Sequence, residues 1–116
     1  SMGLFESGEL VVIPFPYSDL SKSKLRPALI LVDLNNDDFI MVQITSKSYD
    51  DIYSIQLSNE DLDYGFLKFD SFIKYSKVFT SNSNIILKKI GKLKEIKYNE
   101  VIHELVKLFK VKTEIN

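Results

Sequence analysis

Cysteine and tryptophan are absent, while histidine and arginine occur once each, proline three times and glycine four times in 116 residues. Zero cysteines remove disulfides, thiolate nucleophiles and cysteine-bound zinc together. A lone histidine, His103, excludes a multi-histidine metal site. There is no glycine-rich phosphate loop, no Gly-x-Ser-x-Gly, no histidine pair on a helix and no acidic calcium loop. No apolar run approaches the length that crosses a bilayer, and nothing at the N-terminus has the basic, apolar and small-residue order of a secretion signal. The expectation is a soluble, cytoplasmic protein with no membrane partner. Ser1 ahead of Met2 reads as an expression remnant, and the length fits one globular domain over 1–116 with its own core.

The formal net charge is only −1, yet it is unevenly spread. Nine acidic residues face two lysines between Asp33 and Asp70, whereas Lys88 to Lys112 holds eight lysines against three glutamates. Phosphate binding depends on where cations cluster more than on their total, so a local basic surface is compatible with this balance. The alternative for the C-terminal lysines is that they solvate a helix face.

Hydrophobic patterning predicts strands first and a helix last. "ELVVIPFP" (9–16) is β-rich, and its two prolines suggest an edge strand or one interrupted by a bulge. "PALILVDL" (27–34) is a nearly continuous apolar run, as in a buried strand, and "NNDD" (35–38) is the turn that returns the chain into "FIMVQITS". "DIYSIQLS" alternates as a half-exposed strand, "NEDLDYG" reads as a turn-rich connector, "SFIKYSKVFT" (71–80) as a strand, and "IILKKIGKL" as a short strand ended near Gly91. From Tyr98 the period becomes helical, with Val101, Ile102, Leu105, Leu108 and Phe109 on the apolar side. His103 lies beside that stripe and reads as a boundary residue. The fold class is α+β, mainly β: a small curved antiparallel sheet or barrel with a C-terminal helix.

The single arginine, Arg26, stands in "SKSKLRPALIL", although fourteen lysines supply charge elsewhere. A guanidinium differs from an ammonium in its planar fork, which grips a phosphate or carboxylate two-pronged. A surface salt bridge is the simpler alternative. The loop before it carries Tyr17, Lys22 and Lys24, an aromatic face with two cations that suits a single-stranded nucleic acid, or else is only a hairpin connection. Without cysteine or paired histidines, a site here suits a reaction whose nucleophile comes with the substrate and whose barrier is developing negative charge.

The series "GELVVIPFPYSD", "KLRPALILV", "VQITSKS", "FLKFDSFIKYSKVFT" and "KKIGKL" before a helix resembles, in order and spacing, the MazF/PemK family of toxins, from Gly8 to the C-terminal helix. The resemblance implies a CcdB/PemK-like, SH3-like barrel, usually a homodimer. It further implies a type II toxin acting as a sequence-specific mRNA interferase on single-stranded RNA, with no metal or other cofactor. RNA supplies the 2′-OH, which attacks the adjacent phosphorus to leave a 2′,3′-cyclic phosphate and a 5′-OH. A cognate antitoxin would neutralise it, with operator DNA as a partner only of the toxin–antitoxin complex.

Arg26 matches the family's catalytic arginine and Thr45 its threonine or serine at the end of the next strand. Tyr17, Lys22, Lys24, Ser46 and Lys74 are the RNA-binding candidates. Lys74 stands where some members have an arginine, Ser76 where an acid would be, and Phe79 where many have an arginine. A serine cannot replace a carboxylate as a proton donor, so Asp19 is a second acid-base or orienting candidate beside Ser76, or simply a turn-forming aspartate. Two alternatives stay open: a non-enzymatic, CcdB-like toxin, and a catalytically inactive relative that binds nucleic acid or antitoxin.

Overall fold

The computed structural model describes residues 4–16, 23–47 and 51–114, with side chains at all of these except 16, 23 and 111–114. Seven strands and one helix follow in order: β1 (Glu9–Pro16), β2 (Ser23–Asp33), β3 (Asp38–Thr45), β4 (Ser54–Leu57), β5 (Leu62–Gly65), β6 (Ser71–Asn82), β7 (Lys88–Leu93) and α1 (Glu95–Glu114). One-turn 3₁₀ helices at Asn59–Asp61 and Ser83–Ile85 precede β5 and β7. All strands belong to one curled antiparallel sheet in the order β4-β6-β3-β2-β1-β7-β5. Among the described residues, no helix is long and apolar enough to cross a membrane.

The continuous apolar run in β2 has a direct cause: the centre of the sheet is covered on both faces. Leu29, Leu31, Val42 and Ile44 point into one core, which Val101 and Leu105 of α1 close. Ala28, Ile30, Phe39 and Met41 point into a second core on the other face, capped by Phe5, Phe15, Phe79, Ile85 and Ile86. Strands buried on both sides lose the polar alternation that a half-exposed strand keeps. Tyr98 ties α1 to the sheet by donating its hydroxyl to the Leu31 carbonyl at 2.7 Å.

The prolines of β1 are accommodated by position. β1 pairs with β7 only from Glu9 to Val12, beyond a register shift at Leu10/Val11, whereas its pairing with β2 runs on to Pro16. Pro14 and Pro16 therefore lie where one side of the strand carries no ladder, and their missing N–H groups cost nothing there. Both expectations for this segment, an edge and a bulge, describe part of it. The β2–β3 turn places Asn35 and Asp37 at positive φ (62° and 70°), and Asp33 and Asn36 side chains accept backbone N–H groups two residues on.

Several boundaries differ from the sequence reading; β4, for one, covers only Ser54–Leu57 of "DIYSIQLS". Leu62–Gly65, expected as connector, is strand β5; it hides because only Leu62 among its four residues is buried. β7 continues through Gly91 to Leu93, since Gly91 is a point of close approach and not a stop: Gly65 pairs with it across β5 and β7. The helix begins at Glu95, ahead of Tyr98. His103 is exposed, and Phe109, expected on the apolar side, is also largely exposed.

Gly65 has φ +97°, and a Cβ there would stand 2.2 Å from the Ile90 carbonyl oxygen; Gly8 has φ +91°, but its Cβ would meet nothing closer than 3.7 Å. Gly8→Ala carries only the left-handed backbone penalty, about 1–2 kcal/mol. Gly65→Ala adds an overlap with backbone that cannot retreat, worth roughly 1–3 kcal/mol more. Denaturant midpoints of the two variants should fall in that order, and equal midpoints would contradict the close β5–β7 approach.

Candidate nucleic-acid interface

The β2–β3 register carries the site. Ala28 pairs with Gln43, Leu29 with Val42 and Ile30 with Met41, so continuing two residues sets Arg26 opposite Thr45. Pro27 keeps the residue before it extended, which holds Arg26 in the strand. On its other side Arg26 pairs with Ile13 of β1. Its side chain is half-buried and makes no ion pair or hydrogen bond with another described residue, so the salt-bridge alternative has no partner among them.

Thr45 is only 5% exposed. Its Oγ1 accepts the Lys47 N–H at 3.2 Å. That bond occupies a lone pair and leaves the hydroxyl proton to donate. Arg26 and Thr45 both line a cleft of about 460 Å³, with Val12, Pro27, Ile44 and Ile90 as its apolar floor. Among the described residues five cations line it, Lys24, Arg26, Lys47, Lys68 and Lys88, and no carboxylate does. Ser46 is exposed at the same rim, and two exposed phenylalanines, Phe66 and Phe69, complete the wall.

Three other hollows among the described residues have the opposite character. Each contains Lys97 beside one or more of Asp61, Asp70, Glu60, Glu100 and Glu104. Of the described C-terminal lysines, four are paired with carboxylates. Lys89 pairs with Glu9, Lys92 with Glu6, Lys97 with Asp61 and Glu100, and Lys107 with Glu104. Of this group, Lys88 is the one that reaches the cleft.

Two sequence candidates lie elsewhere. Lys74 is 7% exposed in β6 and pairs with Asp51 at 2.7 Å. That hydrogen bond holds the Asp51 carboxyl below its usual value, helped by the Tyr53 N–H. Ser76 is exposed in a bulge of β6: Val42 pairs with Val78 but Gln43 with Lys74, so Tyr75, Ser76 and Lys77 have no partner in β3. Neither Lys74 nor Ser76 lines the cleft. Phe79, where many relatives carry arginine, packs edge-on against Phe15 at 5.4 Å. Tyr17, Asp19 and Lys22 lie outside the described residues.

Sequence reasoning missed Lys47, Lys68, Lys88, Phe66 and Phe69 as cleft residues. Only "FLKF" carried a readable signal, aromatic and basic residues interleaved between two polar segments. It also missed Glu9, 2% exposed, whose carboxylate accepts from Lys89 at 2.6 Å, Tyr64 at 2.9 Å and the Glu6 N–H at 2.6 Å. This cluster binds β1, β5 and β7 together. The bond to Glu9 holds Lys89 above its usual value, and burial raises the Tyr64 phenol.

Solved structures of similar shape extend over nearly the whole chain. An endoribonuclease bound to its cognate antitoxin from a mycobacterial species superposes with TM-score 0.71 at 12% identity, covering 94% of this chain and 96% of that one. A MazE–MazF complex from Deinococcus radiodurans gives 0.73 at 15% identity, covering 92% and 97%. The Mycobacterium tuberculosis toxin MazF-mt6 gives 0.64 at 15% identity, covering 86% and 96%. No curated relative matches by sequence. The sequence pattern of PemK-like, MazF-like toxins of type II toxin–antitoxin systems matches residues 6–109, and with the curled sheet and closing helix it fixes the family: the chain is a member of the PemK-like, MazF-like toxins.

Proposed function

We propose that the protein is a sequence-specific endoribonuclease that cleaves single-stranded RNA in the Arg26–Thr45 cleft without a metal ion and is silenced by a cognate antitoxin. The observation that carries this reading is the lining of the cleft: five cations and a buried hydroxyl, with no carboxylate among the described residues. Such a set neutralises phosphate, and its described members offer no hard oxygen anions for magnesium.

In this mechanism the RNA 2′-oxygen attacks the adjacent phosphorus while the P–O5′ bond breaks. The 2′-hydroxyl loses its proton and the departing 5′-oxygen gains one, giving a 2′,3′-cyclic phosphate and a 5′-OH. Arg26 binds the non-bridging oxygens, where negative charge grows in the transition state. Thr45 donates its hydroxyl to the same phosphate, and Lys24 and Ser46 hold the strand on either side. The described part of the cleft has no carboxylate or imidazole to move protons, which leaves Asp19 as the acid-base candidate ahead of Ser76. The endoribonuclease name and bound antitoxins of the structural neighbours support both activity and partner. An acidic antitoxin segment would compete for the cations that receive phosphate. The functional unit is a homodimer, as the family resemblance implies.

Purified protein incubated with several unrelated transcripts in EDTA should cut at a short recurring sequence and leave 2′,3′-cyclic phosphate and 5′-OH ends. Protein that binds these RNAs and leaves all of them intact would instead favour the inactive nucleic-acid-binding alternative.

Arg26→Lys keeps the charge but loses the fork, and should fold and bind RNA while cleaving about 100-fold more slowly. Thr45→Ala should lose less, because a neutral hydrogen bond contributes only about 0.5–1.5 kcal/mol. Wild-type single-turnover rates for Arg26→Lys would remove the arginine from catalysis.

Light scattering at tens of micromolar should return twice the 13.4 kDa chain mass. A monomer mass at that concentration would count against the dimer.

A further inference from the structure

The cleavage chemistry leaves Phe66 and Phe69 unused, although they are 69% and 61% exposed in the wall of the cleft. Their backbone is pinned. The Phe66 N–H donates to the Ile90 carbonyl at 3.2 Å, and the buried Ser71 hydroxyl donates to the Phe69 carbonyl at 2.9 Å. Between them the Asn59 side-chain amide donates to the Leu67 carbonyl at 3.0 Å and accepts the Leu67 N–H at 2.7 Å. Leu67, 5% exposed, plugs the core beneath. Two rings held out in water on a fixed backbone leave apolar faces for a partner and cost it little ordering on binding. Lys68 stands between them in sequence, its Nζ 5.6 Å from the Phe69 ring centroid.

We propose that Phe66 and Phe69 form a stacking shelf for two nucleobases of the RNA strand, with Lys68 taking an adjacent phosphate and Asn59 acting as the positioning residue. The proposal rests on the RNA reading of the cleft and goes beyond it in naming what grips the bases. Aromatic rings interleaved with cations match single-stranded nucleic acid, in which π faces and phosphates alternate. A cleft with five cations, and no carboxylate among its described residues, favours that occupant over an apolar protein surface.

The test is fluorescence anisotropy at fixed salt with two probes. One is a mixed-sequence 2′-O-methyl RNA 12-mer, which lacks the nucleophile and stays intact; the other is an abasic oligomer of equal length. Wild-type protein should bind the base-bearing probe at least about 10-fold tighter. Phe66→Ala and Phe69→Ala should each weaken that probe roughly 5- to 100-fold while scarcely changing the abasic one. Phe→Leu at either position should behave similarly, because leucine keeps apolar area without a π face. Asn59→Ala should lower the ratio between probes with phosphate binding retained, a change that loss of stability alone would not produce in folded protein. Equal wild-type binding of both probes, or an undiminished ratio in the double alanine variant, would overturn the shelf and leave the RNA reading standing. So would a double variant that keeps the ratio but loses self-association in light scattering, since the rings would then belong to a protein contact. Wild-type protein that binds neither probe would overturn the RNA reading and the shelf with it.

Discussion

A bulge between Ile30 and Val32 sets the alignment on which the cleft depends. On the turn side of it Val32 pairs with Ile40 and Asp33 with Phe39; on the other side Ile30 pairs with Met41 and Ala28 with Gln43, one residue out of step. Carried down an unbulged ladder, the first register would set Arg26 against Ser46 instead of Thr45. A one-residue slip also exchanges the faces of a strand, and here both faces are buried in different cores. The shapes of those two cores therefore enforce the register, and the register brings the arginine to the threonine. Similar shifts in the β1–β7, β3–β6 and β5–β7 pairings help curl the sheet and give the cleft its concavity.

The second organising constraint is separation of charge. With a net charge of −1 the chain has no general affinity for phosphate, yet one cleft gathers five cations. Glu6, Glu9, Asp51 and Asp61 hold lysines elsewhere, and the hollows beside α1 take Glu100 and Glu104. Like charges gathered in one concave surface repel one another until an anion arrives, so the cleft stabilises a polyanion by relieving its own repulsion as well as by attraction. That logic favours a partner with several regularly spaced charges, as a nucleic-acid strand or an acidic peptide has, over an isolated carboxylate.

Much of the fold was legible because period and burial agree. β1, β2, the turn at Asn35–Asp38 and the apolar stripe of α1 each follow from a local pattern. β5 was not, since three of its four residues are exposed and its pairing depends on two glycines meeting at a distance in sequence. Within the site, Arg26 stands out in the sequence as the single arginine, and Thr45 is named through the family resemblance; the structure sets both in one cleft. Lys74 and Ser76 are candidates through the family resemblance alone, and the bulge at residues 75–77, which the local pattern does not announce, sets them apart from the cleft. Glu9 opens a β-rich segment with no sign of burial in the local pattern; only the convergence of Lys89 and Tyr64 shows how a carboxylate is buried there. Asn59 carries no signal at all, for its contacts are with a backbone eight residues away.

The two halves of the cleft solve different problems. Arg26 and Thr45 come from central strands, rigid on both sides, and in the proposed mechanism the groups they address are identical in every RNA linkage: two oxygens on phosphorus. Such contacts accelerate without discriminating. Discrimination has to come from groups that meet the bases, and the wall at Phe66–Phe69 descends from β5 and β6, where the sheet is at its edge or newly begun. A stacking ring accepts any base to some degree, so even a fixed shelf selects mainly for an unpaired strand, and hydrogen-bonding groups must supply the rest of any sequence preference. Placing the charge-handling residues on the doubly buried strands and the base-facing ones on edge-bound segments lets the second set vary without disturbing the first. The β2–β3 register can then remain constant while the surface proposed to read RNA changes around it.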